Sequence, residues 1–391
     1  MKHFSAQYVY TNYGPPLLRP VIATDDDGTI ISVTDTGGNL TETAGLSFFN
    51  GIITPGFVNC HCHLELSHFK GLVEPSTGLP GFIGAIRNLR STHSGEPESA
   101  AAVYDSVMAA EGIIACADIC NTTDSFAVKK NSTIAYTSLV EVFGINPDGA
   151  HRRFEEALTV ARAAIDMSLR HNIVPHSAYA ISLPLMDMIS DYPDGTPLTS
   201  VHFMESDAEA TLLVGNGGPL LDSYLEFGID ASSLSLPESH GSAVENHITR
   251  AGNLILVHNT YADRPTVERV NKRGNTYWCL CPGSNMFITG TPPPVMMLRE
   301  TDSNIVLGTD SLASNSRLSI VSEMMILHEK FPQLPLEELI GWATINGAKA
   351  LGISDYAGSI EPGKRPGLVL IENCDLGAKR LTKNSKAKRL I

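Results

Sequence analysis

The chain lacks long apolar runs: none reaches the ~18 uninterrupted apolar residues of a membrane-spanning helix, so no integral span is expected. It also lacks a basic cluster. The formal net charge is -14, and Lys and Arg gather only in the C-terminal tail from Lys379-Arg380 to Lys386, Lys388 and Arg389. A nucleic-acid surface needs clustered positive charge to neutralise phosphates, so that class of partner is excluded. No apolar segment follows a basic start as a secretion signal would, and the seven cysteines, at 60, 62, 116, 120, 279, 281 and 374, are odd in number. A reducing, cytoplasmic setting is expected. Cys279 and Cys281 lie on apolar runs and read as small buried hydrophobes. After Cys60-His61-Cys62-His63 no second ligand cluster follows at finger spacing, which excludes a zinc finger. Internal repeats and low-complexity blocks are missing as well.

What remains is a globular chain of 391 residues, 43% hydrophobic and 18% charged. That is enough for a barrel of about 250 residues with a smaller unit attached. Residues 1–54 are short β-prone pieces, such as Gln7-Tyr8-Val9-Tyr10 and Gly28 to Val33, separated by Gly, Asp and Pro turns. From Ile53 the grain changes. Apolar runs ending at Cys60 and at 113–118, 134–142, 172–177, 199–204, 254–258, 276–281 and 304–309 alternate with helical spacing at 98–111, 150–171, 240–252, 262–273 and 318–330. Eight strands with intervening helices predict an α/β fold, a (β/α)8 TIM-type barrel over 55–354. After a helix around 336–347, Gly358 to Lys364 and Leu368 to Ile371 return to β character. Residues 355–391 should therefore join 1–54 in a small β-sandwich domain. The Gly-, Ser- and Pro-rich stretch 214–239 is too long for a plain connection and reads either as a lid or as a surface insertion.

In a barrel of this kind the C-terminal strand ends form one rim, where active sites sit. His61 and His63 flank Cys62 at the end of the first strand; side chains alternate with period 2, so both imidazoles share a face and Cys62 takes the other. His202 and Glu205 close the fifth strand, His258 the sixth and Asp310 the eighth. Each histidine alone could be a satisfied core residue. Their joint arrival at strand ends is not explained that way. Three imidazole nitrogens and a carboxylate suit Zn²⁺ or Fe²⁺ with water completing the shell, and a bound cation can bring that water's pKa to about 7. Glu205, three residues past a ligand, is placed as a proton shuttle. His258 reads as a further ligand or, more naturally, as the group that orients the attacking water. Asp310 serves as ligand and as acceptor of the water's proton.

Pro55-Gly56-Phe57-Val58-Asn59 before His61-Cys62-His63, His202 with Glu205, Val257-His258, Cys281-Pro282-Gly283-Ser284-Asn285 and Gly308-Thr309-Asp310-Ser311 resemble the amidohydrolase superfamily, in its cytosine, guanine and adenosine-type deaminase branch. The likeness runs over nearly the whole chain. It implies that His61, His63, His202 and Asp310 bind one metal, with Glu205, His258 and Asp310 catalytic and Ser311 beside the substrate. Pro175-His176-Ser177-Ala178-Tyr179 is similar to the substrate-binding segment of nucleoside-type deaminases, usually with Pro where Ala178 stands, and implies contacts from His176 and Tyr179. No lysine ends that strand, whereas binuclear relatives place a carboxylated lysine there, so a single-metal site is expected. His63 to His68, Gly78 to Ile83 and Arg87 look most like 6-amino-6-deoxyfutalosine deaminases, which implies that Glu65, Phe82 and Arg87 contact a base, a ribose or a carboxylate. Gly283 in place of a polar residue, Pro366-Gly367 in place of Ala-Asp and a short C-terminal β segment depart from the pattern without touching the metal motif.

The expected function is hydrolytic deamination of an aromatic heterocycle, most of all a purine nucleoside-like compound such as 6-amino-6-deoxyfutalosine. The cofactor is one divalent ion, zinc preferred to iron. The partner is a small-molecule substrate, with neither nucleic acid nor membrane, and a homo-oligomer is left open. The same machinery would serve an amidohydrolase or a chlorohydrolase. A catalytically inactive barrel scaffold is the reading from another class, disfavoured because no ligand is missing.

Overall fold

Turn-broken runs of β-branched and aromatic residues open the chain as five strands: β1 (Lys2–Val9), β2 (Leu17–Leu18), β3 (Val21–Thr24), β4 (Ile30–Thr34) and β5 (Leu46–Pro55). They belong to a computed structural model of the 391-residue chain that describes every residue except 42, 94, 216, 231–233 and 249–251. Gly56 marks where the chain leaves this sheet. Its amide donates to the Pro366 carbonyl at 3.0 Å, and a Cβ on Gly56 would stand 2.7 Å from that oxygen and 2.4 Å from Ile114 Cγ2. Only glycine fits so close an approach.

Beyond Gly56, β6 (Phe57–Cys62), β7 (Ile113–Cys120), β8 (Ala135–Val142) and β9 (Arg170–Pro175) pair in parallel as one four-stranded sheet. A second consists of β10 (Leu198–Phe203), β11 (Asn253–His258), β12 (Thr276–Leu280) and β13 (Asn304–Leu307), also parallel. The edges of the two sheets meet at their C-terminal ends. Cys62 bridges to Asp310 and Ser177 to His202. The amides of Thr309 and Asp310 both donate to the His61 carbonyl, at 2.9 and 3.0 Å, and the His202 amide donates to the His176 carbonyl at 2.8 Å. One face of these strands buries Val58, Ala117, Leu139, Val257 and Val306; the opposite face buries Val140, Leu254, Leu256 and Leu307 among helices. Parallel strands covered on both sides need this double apolar character, which is why the runs looked continuous rather than alternating.

The chain returns through β14 (Leu368–Glu372) and β15 (Lys386–Arg389), which join the opening strands in the order β15-β14-β5-β1-β3-β4, with β2 on β1. These seven strands hydrogen-bond as one sheet, where a sandwich of two was expected. Phe4, Ile22, Ile30, Ile53 and Leu370 give it a core of its own.

Most predicted elements differ only at their ends. The helix expected over 150–171 stops at Asp166, because Ser168 adopts φ +59° and the chain becomes β9 at Arg170. The helix expected over 240–252 is seen as His240–His247, and 249–251 lie outside the described residues. The helix around 336–347 is two, Leu336–Ala343 and Ile345–Ala350, broken at Thr344, whose hydroxyl donates to the Ile340 carbonyl at 2.5 Å. The stretch 214–239 carries a helix, Pro219–Glu226; within it 216 and 231–233 lie outside the described residues. Among the described residues no helix is long and apolar enough to cross a membrane.

The junction at Gly56 gives a direct test. Gly56→Ala should destabilise the fold by about 1–3 kcal/mol through overpacking against Pro366 and Ile114. An unchanged midpoint in chemical denaturation would contradict the tight contact seen there.

Candidate metal centre and active site

Four strand ends carry the site, and their backbone departs from regular β geometry where the key side chains leave it. Along β6, Val58 and Cys60 face the inner cluster; the pairing register with β7 then shifts between Asn59 and Cys62, and Cys62 joins the outer cluster. Such irregularities re-aim side chains beside active sites, and here His61 and His63 both turn inward. Met204, His258, Asn259 and Asp310 have φ of +49°, +74°, +59° and +56°. Left-handed backbone at non-glycine residues costs on the order of 1–3 kcal/mol each, so neighbouring groups must hold it. They do: Asn259 Nδ2 donates to the carbonyls of Leu256 and Cys279 at 2.8 and 3.2 Å, and the Tyr261 amide donates to the Met204 carbonyl at 2.8 Å. At His258 the turn breaks the alternation that would otherwise send the ring outward with Leu254 and Leu256.

Nε2 of His61 and Nε2 of His63 lie 3.2 Å apart, and Oδ1 of Asp310 is 3.7 and 3.5 Å from them. With metal–ligand bonds of about 2.0–2.1 Å, a tetrahedral site has ligand–ligand edges of roughly 3.3 Å. The separations fit. Burial, and then His61, push the His63 imidazole down to about 4, so its nitrogen presents a lone pair at neutral pH. Asp310 Oδ2 accepts from the hydroxyls of Ser284 and Ser314, both at 2.6 Å, which leaves Oδ1 to face the histidines. Burial alone would raise this carboxyl, but its hydrogen bond with His61 and the nearby His63 and His258 outweigh burial and hold it well below the usual range.

The His202 ring centroid is 4.8 Å from that of His61 and 5.5 Å from that of His63. Its Nδ1 donates to the His176 carbonyl at 3.0 Å, which leaves Nε2 as the lone pair. One nitrogen each of His61, His202 and His258 lie within 4.8 Å of one another. His258 Nδ1 meets Asn285 Oδ1 at 2.9 Å, and its Nε2 is 3.6 Å from Glu205 Oε1. Burial lowers His258. Burial, reinforced by Glu209, lifts Glu205 well above the ordinary carboxyl range. Burial thus favours the neutral form of both the carboxyl and the imidazole it faces. The Nδ1 atoms of His61 and His63 are buried with no hydrogen-bond partner among the described residues, and the nitrogen and oxygen donors of the site fit a divalent ion of borderline softness.

Above this floor opens a cavity of about 620 Å³, within the range of small-molecule sites. Of the predicted substrate contacts, Phe82, Arg87, His176, Tyr179 and Ser311 line it. Ser311 Oγ lies 3.2 Å from Ser314 Oγ, Tyr179 OH is 3.3 Å from His176 Nε2, and the Arg87 guanidinium lies 3.9 Å from the Phe227 ring centroid. Glu65 is placed differently. It does not line the cavity; its Oε2 accepts from the amides of Asn121 and Thr122 at 3.0 and 3.2 Å, and its Oε1 is 3.4 Å from Arg90. Its carboxyl is thus taken up by the loop after β7, and Arg90 and Asn121, which it holds, reach the cavity instead.

Two features escaped the sequence reading. Glu141, at the end of β8, lines the cavity and lies 2.8 Å from His176 Nδ1 and 3.3 Å from His202 Nδ1. Burial would raise it, but His176 outweighs burial and holds it well below the usual range; in return Glu141 overcomes burial and raises His176. Its place at the end of an apolar run, like that of the histidines, was the available signal. The other is a fully buried ion pair, Lys129 Nζ to Asp118 Oδ2 at 2.6 Å. Asp118 Oδ1 accepts from the Leu64 amide at 2.7 Å, immediately after His63.

Comparison with known proteins agrees with this geometry. The amidohydrolase family profile matches residues 52–389, and the chain belongs to that family. An adenosine deaminase of Helicobacter pylori is 25% identical over 328 residues, covering 82% of this chain and 79% of that protein. A 5-methylthioadenosine/S-adenosylhomocysteine deaminase of Haloarcula marismortui is 24% identical over 394 residues, covering 94% and 85%. Among solved structures, the aminofutalosine deaminase of Helicobacter pylori in complex with methylthio-coformycin superposes with a TM-score of 0.81 at 21% identity, over 100% of both chains. An adenosine deaminase from Xanthomonas campestris with bound zinc gives 0.69 at 21% identity, covering 97% and 86%. A zinc-complexed atrazine chlorohydrolase of Arthrobacter aurescens gives 0.71 at 15% identity, covering 94% and 86%.

The Asp118–Lys129 pair is testable by stability alone. Lys129→Met leaves a buried carboxylate unpaired and should cost about 3–5 kcal/mol, whereas Asp118→Asn with Lys129→Met should recover part of that. Denaturation curves in which the single variant matches the parent protein would remove the pair from the account of the first strand end.

Proposed function

We propose that this protein is a mononuclear metal-dependent aminohydrolase, which hydrolytically deaminates a purine nucleoside-like compound such as 6-amino-6-deoxyfutalosine and releases ammonia. The observation that carries the reading is the placement of the Glu205 carboxyl, 3.6 Å from His258 Nε2, beside the His61, His63 and Asp310 donors on the floor of the cavity. The names of its relatives, deaminases of adenosine, methylthioadenosine and 5'-deoxyadenosine, support it. In this reading the two parallel sheets are halves of one (β/α)8 barrel over 55–354, joined through the bridges at Cys62–Asp310 and Ser177–His202, with 1–54 and 355–391 as the small β domain. Unpaired cysteines support a reducing, cytoplasmic setting.

His61, His63, His202 and Asp310 would hold one divalent ion, zinc rather than iron, as the zinc-bound neighbours suggest. His176, not a lysine, follows β9, which supports a single ion. When bound, such an ion makes hydroxide accessible from water near neutral pH. The residues do the rest. As water adds to the amino-bearing ring carbon, Asp310 accepts the proton the water gives up, and Glu205 donates its own to the ring nitrogen. His258, its Nδ1 hydrogen engaged by Asn285, orients the water and polarises the carbon under attack. Glu205, ionised by that step, takes the remaining hydroxyl proton of the added water and passes it to the amino group, which leaves as ammonia as the carbonyl forms; the proton held by Asp310 then restores Glu205. His176, raised by Glu141, presents a donor to the substrate alongside Tyr179. Leu79, Phe82, Ile83, Ile86, Phe227 and Ile229 make the outer wall apolar, while Arg87, Arg152 and Arg153 border it. That suits a nucleoside extended by an apolar group that ends in negative charge.

Two experiments test this. Glu205→Gln should keep its metal and lose turnover by about 10²-fold or more, the usual size of an acid–base contribution; undiminished turnover would remove the mechanism. An ammonia-release screen over cytosine, guanine, adenosine, 5'-deoxyadenosine, S-adenosylhomocysteine and aminodeoxyfutalosine should favour the extended nucleosides. Release from the free bases alone would overturn the substrate class.

A further inference from the structure

Glu209 is fully buried, four residues past Glu205, and does not line the cavity. Its carboxylate has two partners. Oε1 accepts from the Ser206 amide at 2.7 Å, and Oε2 lies 3.0 Å from Nε2 of His240. Ser206 Oγ in turn accepts from the Ala208 amide at 3.1 Å, so the helix Asp207–Leu213 opens on a reciprocal cap. In a capping box the third-residue carboxylate satisfies the amide of the cap residue, and the arrangement serves the helix. Here it reaches further. The amide that Glu209 grips belongs to the peptide unit linking Glu205 to Ser206. On the other side of Glu205, Met204 stands in left-handed backbone with its carbonyl tied to the Tyr261 amide at 2.8 Å. The backbone of Glu205 is therefore held from both directions.

The far oxygen gives Glu209 its second function. His240 begins the helix His240–His247, where the chain returns from the insertion after β10, and its ring packs edge-on against Phe203 at 5.4 Å. A buried carboxylate with only one oxygen engaged could swing about its last torsion. With His240 on Oε2 it cannot, and Oε1 stays on the Ser206 amide.

We propose that Glu209, braced by His240, is a positioning residue for Glu205: it fixes the peptide unit from which the proton-shuttling carboxyl leaves the chain, and so sets the approach of that carboxyl to His258 and the substrate. The proposal rests on the reading of Glu205 as the shuttle. A cap that served only the helix would affect stability and the fraction of loaded protein, not the turnover of each metal-bearing molecule.

The test compares Glu209→Ala, Glu209→Gln, His240→Phe and Glu205→Gln, each purified with its metal counted, and reads kcat per bound metal and KM separately on whichever nucleoside the ammonia screen selects. Glu209→Ala should lose kcat by up to about 10²-fold, the effect of misplacing a reacting group by an ångström, with KM unchanged. Glu209→Gln, whose amide oxygen can still accept from Ser206 while its NH₂ meets His240 in the other tautomer, should recover most of the loss. Parental kcat per metal in Glu209→Ala, while Glu205→Gln is inactive, would overturn the positioning role alone. Undiminished activity in Glu205→Gln would instead remove the shuttle reading on which it rests. Should Glu209→Ala fail to fold, His240→Phe decides: a fall in kcat per metal at constant KM supports the brace, and parental kcat overturns it.

Discussion

A single carbonyl oxygen, that of His61, organises the site. It accepts the amides of both Thr309 and Asp310, and so joins the first of the eight parallel strands to the last. Nothing in the sequence brings residues 61 and 310 together except this contact between the ends of two sheets. Once it forms, Asn59 Nδ2 reaches Thr309 Oγ1 at 2.8 Å, and the Asp310 carboxylate comes within 3.5 Å of His63. The arrangement of these side chains is therefore a product of strand pairing, since each candidate ligand leaves the backbone within a residue or two of an interstrand hydrogen bond. Few degrees of freedom remain to be fixed by the side chains themselves, which is what a preorganised centre requires.

Three carboxyls buried to similar depth in this site are shifted in opposite directions, and the partners of each explain why. Asp310 takes two serine hydroxyls on one oxygen and faces imidazoles with the other, and Glu141 lies against His176, so both stay ionised. At Glu205 the Glu209 carboxylate adds to burial, and the His258 imidazole 3.6 Å away does not offset it, so the carboxyl is raised. Separated pKa values in one pocket divide acid from base work between groups of the same chemical type. The division costs stability, as does left-handed backbone at Met204, His258 and Asp310. Apolar layers on both faces of the strands offset it.

The sequence revealed the parts of this site that are chemically conspicuous. Histidines are few, and their placement at the ends of apolar runs named His61, His63, His202 and His258; apolar runs alternating with helical spacing named the strand–helix alternation. Carboxylates are another matter. Glu209 carries the same local signal as dozens of solvated acids, Glu141 and Asp118 differ only in lying near the end of an apolar run, and tertiary partners show what each does: Ser206 and His240 for Glu209, His176 for Glu141, Lys129 for Asp118. Glu65 erred in the opposite direction, because proximity in sequence to His63 suggested the cavity while the side chain turned to the amides of Asn121 and Thr122. The single seven-stranded sheet was hidden for a related reason. β5 and β14 pair across more than three hundred residues, and no periodicity within either strand reports which partner it will find.

Chemistry and recognition occupy different elements, and this has a consequence for how the protein can vary. The floor is built from strand ends locked by ladder hydrogen bonds, whereas the wall comes from the helix Gly78–Thr92, with Phe82, Ile83 and Ile86, and from the insertion after β10, with Tyr224, Phe227 and Ile229. The two wall elements touch through Arg87 stacked on Phe227, and the insertion is tied to the floor through the Tyr224 hydroxyl, which donates to the Tyr179 carbonyl at 2.9 Å. Substitutions on the wall alter the volume and polarity offered to the distal part of a substrate while leaving the His61, His63 and Asp310 geometry alone. Substitutions at the ties do not have that freedom, since Tyr179 also meets His176 and the His240 end of the insertion holds Glu209. Substrate range can drift across the outer wall, then, but the insertion cannot be exchanged whole without disturbing Tyr179, bonded to its helix, and Glu209, bonded to the residue that follows it.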